Sequence, residues 1–182
     1  PVHVAVGAPA TAIARTAAEI GAALVVTGLR RHGVLDRVLH DETTLHAMRV
    51  APCPVLGVAP SLGGLPRTAL VGMDFGAPAR RAARAALDVL ADDGTLVLAY
   101  VEPPPRPADD PGRDPADDGE GVVYALGVPA AFDRLVTDLV VPAGVTVRRV
   151  RLADGASRRN AEVLRDLADA DRADLVAVGS RR

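Results

Sequence analysis

The chain contains one stretch twice, and this internal repeat is the feature that most restricts its fold. Residues 22–31 read Ala-Ala-Leu-Val-Val-Thr-Gly-Leu-Arg-Arg, and residues 173–182 read Ala-Asp-Leu-Val-Ala-Val-Gly-Ser-Arg-Arg. The residues before each stretch also match without a gap, so that Gly28 and Gly179 are separated by 151 positions. A period of this length corresponds to one domain and not to a solenoid repeat. We therefore expect a chain that spans parts of two homologous domains, as a piece of a tandem.

Composition argues against several classes of function. The net charge of −2 gives no reason to expect a nucleic-acid partner. All 21 basic residues are arginine, so the chain has no lysine for a Walker phosphate loop, a Schiff base or a phospho-receiver site. The single cysteine, Cys53, cannot form an internal disulfide and fits a reducing compartment, which predicts a cytoplasmic protein. No apolar run approaches the roughly 20 residues needed to span a bilayer, so no membrane contact is predicted.

Short apolar runs alternate with segments of helical spacing along the chain. Strands are predicted over residues 2–6, 24–27, 55–58, 69–73, 96–101, 145–152 and 175–178. Helices are predicted over residues 10–21, from Asp41 or Glu42 to before Pro52, and over 79–91, 125–140 and 157–171. This alternation predicts an α/β protein with a doubly wound parallel sheet.

Two segments of unusual composition divide the chain. Residues 61–67 read Ser-Leu-Gly-Gly-Leu-Pro-Arg, which is rich in turn-forming residues and predicts a linker. This linker separates a first domain portion, residues 1–60, from a second, residues 68–182. Within the second, residues 103–121 hold six prolines and a cluster of aspartates. Because such a composition cannot bury apolar surface, we predict a mobile loop there.

Four motifs carry a resemblance to a known family. Residues 7–10 are Gly-Ala-Pro-Ala, 24–28 are Leu-Val-Val-Thr-Gly, 51–56 are Ala-Pro-Cys-Pro-Val-Leu and 71–74 are Val-Gly-Met-Asp. They resemble motifs of universal stress proteins. Residues 7–10 resemble the turn after that family's third strand, and residues 24–28 resemble its fourth strand. Residues 51–56 resemble the entry to its fifth strand, and residues 71–74 resemble the end of its first strand. That family belongs to the adenine-nucleotide α-hydrolase-like superfamily. The resemblance implies two incomplete copies of a five-stranded sheet, the C-terminal portion of one followed by the N-terminal portion of the next.

The resemblance also identifies a degenerate phosphate loop in the first copy. ATP-binding members carry Gly-x2-Gly-x9-Gly-Ser/Thr after the fourth strand, where backbone N–H groups and a hydroxyl hold the phosphates. Gly28 matches the first glycine, but Arg31 and Asp41 replace the other two and Glu42 replaces the hydroxyl residue. Like charges at ~4 Å repel by about 1 kcal/mol in water and about 4 kcal/mol at an effective dielectric of 20. That exceeds the roughly 0.5–1.5 kcal/mol of one backbone hydrogen bond, so this copy is predicted not to bind nucleotide.

The second copy keeps more of the family's site. Asp74 matches the aspartate that the family places against adenine, and Gly179 and Ser180 begin the phosphate loop. Arg182 repeats the substitution seen at Arg31. The resemblance therefore implies ATP as a cofactor of the second domain only. A carboxylate of Asp74 that merely caps local backbone is an equally good interpretation of this residue.

Three classes of function follow. The leading hypothesis is a non-enzymatic stress-response module that binds an adenine nucleotide or a partner protein and pairs domains. The strand near Val55–Val58 would carry self-association or intramolecular pairing. The alternative is a purely structural or protein-interaction module without nucleotide. An ATP-dependent enzyme is disfavoured because neither Ser-Gly-Gly-x-Asp-Ser nor His-x-Gly-His occurs, and we assign no catalytic residue.

His32, His40 and His46 lack a metal-ligand spacing, so no metal site is predicted.

Overall fold

The computed structural model describes residues 2, 4–29, 42–103, 120–152 and 159–180. The chain divides into two compact units, the first ending at Gly63 and the second beginning at Gly64. This division lies inside the segment 61–67. The assignment of the two units to portions of two domain copies stays a prediction. Residues 104–119, which form most of the predicted loop 103–121, lie outside the described residues.

The first unit consists of two helices and one pair of parallel strands. In chain order these are α1 (Pro9–Glu19), β1 (Val25–Gly28), α2 (Glu42–Val50) and β2 (Val55–Val58). The strands pair in parallel, with Val25 opposite Val55 and Gly28 opposite Val58. The two helices contact each other, and Ala10 and Ala17 on α1 and Ala47 on α2 are buried.

The predicted strand over residues 2–6 is wrong. Residues 2 and 4–6 are not in a strand, and the side chains of Val2, Val4 and Val6 are more than nine-tenths exposed. A strand is stable only when a neighbouring strand binds its N–H and C=O groups. In the described part of the first unit, β1 and β2 pair with each other and with no other strand. Alternating valines alone therefore do not order this segment.

The second unit is a doubly wound α/β unit. Its elements are β3 (Thr68–Met73), α3 (Ala77–Val89), β4 (Thr95–Val101), α4 (Glu120–Leu139), β5 (Thr146–Leu152), α5 (Asn160–Ala170) and β6 (Leu175–Ala177). The strand order is β5-β4-β3-β6, and every pair is parallel. The predicted α/β class with parallel sheets is confirmed. The described sheets contain two and four strands and not five.

The core of the second unit lies on both faces of β3 and β4. Five of the largest side chains that are fully buried belong to these strands, namely Leu70, Val71, Leu96, Val97 and Leu98. One face packs against α3 and α4, and the other packs against α5. Continuous apolar runs are what a parallel strand covered on both faces requires. No helix in the described ranges is long and apolar enough to cross a membrane.

The internal repeat is also visible in the backbone. The helices α1 and α5 each have 11 residues, and each ends with the same set of backbone hydrogen bonds. The equivalent residues at these ends are Ile20 and Asp171, Gly21 and Arg172, and Ala22 and Ala173. Gly21 and Arg172 both adopt left-handed backbone angles, with φ of +63° and +50°. Glycine takes this conformation without strain, whereas arginine does not.

Candidate functional site

Asp74 lies at the carboxyl end of β3, in the turn that leads into α3. Its half-buried carboxylate accepts a hydrogen bond from the backbone N–H of Gly76, with Oδ1 2.9 Å from the nitrogen. Gly76 is the cap residue of α3, with φ of −70° and ψ of 166°, and Pro78 lies in the first turn. Asp74 therefore does cap local backbone, and it does so at the beginning of a helix.

The sequence did not single out Phe75, which lies between Asp74 and Gly76. It has a φ of +60°, although only about 3% of its surface is exposed. Its ring centroid lies 5.4 Å from that of Tyr100 and 4.9 Å from that of Phe132. Left-handed angles are strained in a bulky residue and are held only when the surroundings fix them. The aromatic contacts fix Phe75, and thereby the turn that presents Asp74. The chain has only four aromatic residues, and this scarcity was the sequence feature that could have drawn attention to Phe75.

Gly179 brings the end of β6 against the start of α3. A Cβ atom at this residue would lie 2.5 Å from the backbone nitrogen of Ala79 and 2.5 Å from the carbonyl carbon of Pro78. Any side chain here would clash with backbone, so only glycine allows this approach. The family resemblance implies that Gly179 begins a phosphate loop, which stays a prediction, and the close approach to α3 is a structural reason for glycine at that position.

The two strand ends lie side by side at a topological switch point. The connection from β3 leads through α3 to β4, and β6 lies on the opposite side of β3. In open α/β sheets, ligands bind in the crevice outside the carboxyl ends of the strands at such a point. Asp74 and Gly179 thus both lie at the first turn of α3, at the edge of the sheet where this class of fold binds ligands.

The first unit does not repeat this arrangement in its described residues. Gly28 is the last residue of β1, and a Cβ atom there would have no neighbour within 4 Å. Of the other predicted loop residues, Arg31 and Asp41 lie outside the described residues. Glu42 begins α2, and only its backbone is described. The predicted charge conflict in this loop therefore stays a prediction.

Metal-ligating side chains do not cluster in the described ranges. No group of three or more His, Cys, Asp or Glu residues there is arranged to hold a metal ion. Of the three histidines considered from the sequence, His46 lies on α2, while His32 and His40 lie outside the described residues. Cys53 is a partly exposed free thiol before β2.

Comparison with known proteins decides the family. A family model described as "Universal stress protein family" matches residues 1–59 and 66–182. The chain belongs to the universal stress protein family. The boundary at Gly63 and Gly64 between the two units falls in the short segment between the matched ranges. No curated protein matches the chain.

Solved structures similar to this universal stress protein resemble it over about two thirds of its length. Protein Rv1636 from Mycobacterium tuberculosis H37Rv is 23% identical over 66% of this chain and 75% of that chain, with a TM-score of 0.41. A universal stress protein in complex with cAMP is 24% identical over 63% and 77%, with a TM-score of 0.40. A family member from Burkholderia pseudomallei is 28% identical over 63% and 81%, with a TM-score of 0.38.

Proposed function

We propose that this universal stress protein acts by binding and not by catalysis, and that its second unit binds an adenine nucleotide. ATP is the nucleotide that the family's loop pattern favours. The observation that supports this proposal best is the convergence of Asp74, the first turn of α3 and Gly179 at the switch point of the second sheet. The first unit is proposed to bind no nucleotide.

The start of α3 is suited to the phosphates. The first N–H groups of a helix have no partner within the helix and carry a partial positive charge. In α3 these groups are the N–H groups of Ala77 and Ala79, because Pro78 has none and the N–H of Gly76 donates to Asp74. The cap residue Gly76 has no side chain to accept from them, and the first turn contains no acidic residue. Because Gly179 lies against this turn, the backbone after β6 can add donors to the same anion, and Ser180 can add a hydroxyl.

The carboxylate of Asp74 is suited to the adenine. A carboxylate has about four lone-pair sites, so the hydrogen bond from Gly76 orients the group without itself preventing a second bond. An exocyclic amino group is a donor and would complement it. Phe75 keeps the turn in place beneath the site through its two ring contacts.

The second candidate is a structural module that pairs domains without a nucleotide. This candidate is favoured for the first unit because a Cβ atom at Gly28 would have no neighbour within 4 Å, so Gly28 makes no close approach of the kind seen at Gly179. In this candidate the strand Val55–Val58 carries self-association, because its outer edge has no strand partner among the described residues. Under both candidates, the protein is non-enzymatic and lies in the cytoplasm.

Calorimetric titration of ATP into the full chain distinguishes the two candidates. We expect the wild type to bind one ATP and Asp74→Ala to bind it about 12- to 150-fold more weakly, the effect of losing a hydrogen bond to a charged group. Asp88→Ala is the matched control because it removes an exposed carboxylate from the far end of the same helix. Absence of binding by the wild type would reject the nucleotide proposal and favour the structural module.

A further inference from the structure

We propose that Asn160, in the first turn of α5, is a second residue that contacts the base of the nucleotide, and that it selects adenine over guanine. Asn160 carries the only side-chain carboxamide in the chain, which contains no glutamine and no other asparagine. This role rests on the proposed binding of a nucleotide by the second unit. It adds to that site a residue that none of the four sequence motifs contains.

The amino end of α5 lies at the same edge of the sheet as Asp74. The helix connects β5 to β6, and these two strands run in the same direction within one sheet. A connection of this kind leaves the carboxyl end of one strand and returns to the amino end of the next. Asp74 follows the carboxyl end of β3 in that sheet. The first turn of α5 and Asp74 therefore belong to one edge.

The packing of α5 against β3 relates positions on the helix to positions on the strand. A Cβ atom at Gly72 would lie 2.8 Å from Cδ1 of Leu164, so this leucine sits directly over Gly72. One turn further along the helix, Ala168 belongs to the same buried cluster as Leu70. One turn of α5 thus passes two residues of β3, because a helical turn rises about 5.4 Å and two strand residues about 6.6 Å.

The same step in the other direction brings Asn160 to the level of Asp74. Asn160 precedes Leu164 by four residues and lies on the same side of the helix, while Asp74 follows Gly72 by two residues on the same face of the strand. Helical side chains tilt toward the amino end, so the carboxamide extends toward the edge of the sheet. Asn160 is exposed and Asp74 is half-buried, as side chains at a strand end should be.

The internal repeat indicates that the helix itself does not need Asn160. The equivalent residue is Pro9, which begins α1, and the two helices share their length and end geometry. Proline suits the first position of a helix, because the nitrogen there needs no partner. Asparagine is favoured as a cap, but the cap residue of α5 is Arg159. A polar side chain thus takes the place of a residue well suited to the helix, at the proposed binding edge.

A carboxamide next to a carboxylate complements adenine and not guanine. Asparagine offers one acceptor and two donors, and it forms a bidentate pair with the amino group N6 and the ring nitrogen N7 of adenine. The amino group has two hydrogens, so one can go to Asp74 and the other to Asn160. Guanine presents two acceptors, O6 and N7, at the same edge. Because a carboxylate only accepts, guanine would place an acceptor against Asp74.

Magnetic resonance observes the carboxamide directly, because it is the only one in the chain. In the isotope-labelled full chain, the single pair of side-chain NH2 signals belongs to Asn160. ATP should shift this pair together with the backbone amides of Ala77 and Ala79, and GTP at the same concentration should shift it less. An unmoved NH2 pair, while ATP shifts those backbone amides, would overturn the role of Asn160 and leave nucleotide binding intact. No shift of either kind would reject both proposals.

Calorimetric titration with ATP and with GTP tests the selection itself. Asn160→Pro introduces the residue of the first unit and removes the carboxamide, while it keeps a favourable start of the helix. We expect this variant to lower the ratio of ATP affinity to GTP affinity by about 5- to 150-fold, the worth of one bidentate base contact. Its urea unfolding midpoint should not fall. Asp169→Ala, an exposed residue near the other end of α5, is the control and should leave the ratio unchanged.

Asn160→Asp keeps the test decisive if proline disturbs the helix. Aspartate has the shape of asparagine, and an acidic residue suits the first turn of a helix. It cannot donate to N7 of adenine, so it should also lower the ratio of ATP affinity to GTP affinity. A ratio that neither variant changes would refute selection of the base by Asn160, even where ATP binds tightly.

Discussion

Replacement of Gly179 by alanine should loosen the contact between the end of β6 and the start of α3. The new Cβ atom would lie 2.5 Å from two backbone atoms, Ala79 N and Pro78 C, whereas ordinary van der Waals contact begins at 3.4 Å. The backbone must therefore move by almost 1 Å, at a cost of about 1–3 kcal/mol for overpacking. Because Gly179 lies just beyond β6, a strand of three residues, we expect the strain to be relieved by local opening of β6 and not by global unfolding.

Amide hydrogen exchange of the full chain measures this opening. We expect exchange in β6 (Leu175–Ala177) to become roughly 5- to 150-fold faster in Gly179→Ala, the range that corresponds to that cost. Gly28→Ala is the matched control, because a Cβ atom there meets nothing within 4 Å and should leave exchange in β1 unchanged or slower. Equal effects of the two substitutions on their own strands would show that the close approach at Gly179 does not exist.

Four further predictions concern stability, each measured as the change in the urea unfolding midpoint. Gly21→Ala should destabilise the first unit by about 1 kcal/mol, because φ is +63° and no atom lies near the new Cβ. Arg172→Gly, at the equivalent position, should instead stabilise the second unit by up to about 1 kcal/mol. Asp174→Ala should cost about 1 kcal/mol, since the carboxylate accepts two backbone N–H groups at the start of β3, while Asp169→Ala should be neutral. Phe75→Ala should cost about 3–5 kcal/mol through the lost ring contacts.

The parts of the fold that rest on local pattern were predictable from sequence. The apolar runs that became β3 and β4 are buried on both faces, so their composition alone identified them. The repeat predicted equivalent helices, and α1 and α5 end with the same hydrogen bonds. The strand over residues 2–6 was not predictable from its valines, because a strand depends on a partner elsewhere in the chain.

The site was predictable only in part, because some of its contacts depend on residues that are distant in the sequence. Asp74 and Gly179 were selected by their resemblance to the family's motifs, and the structure brings both to the start of α3. The role of Phe75 was not visible, because a left-handed angle and contacts with Tyr100 and Phe132 depend on residues distant in sequence.

The central claim is that nucleotide binds at the switch point of the second unit, and amide chemical-shift mapping with ATP tests it most directly. In the isotope-labelled full chain, ATP should shift the backbone amides of Gly76, Ala77, Ala79 and Gly179, which lie at the start of α3 and the end of β6. The amide of Gly28, the equivalent of Gly179 in the first unit, should not move. Shifts centred on the first unit, or no shifts at millimolar ATP, would contradict the account.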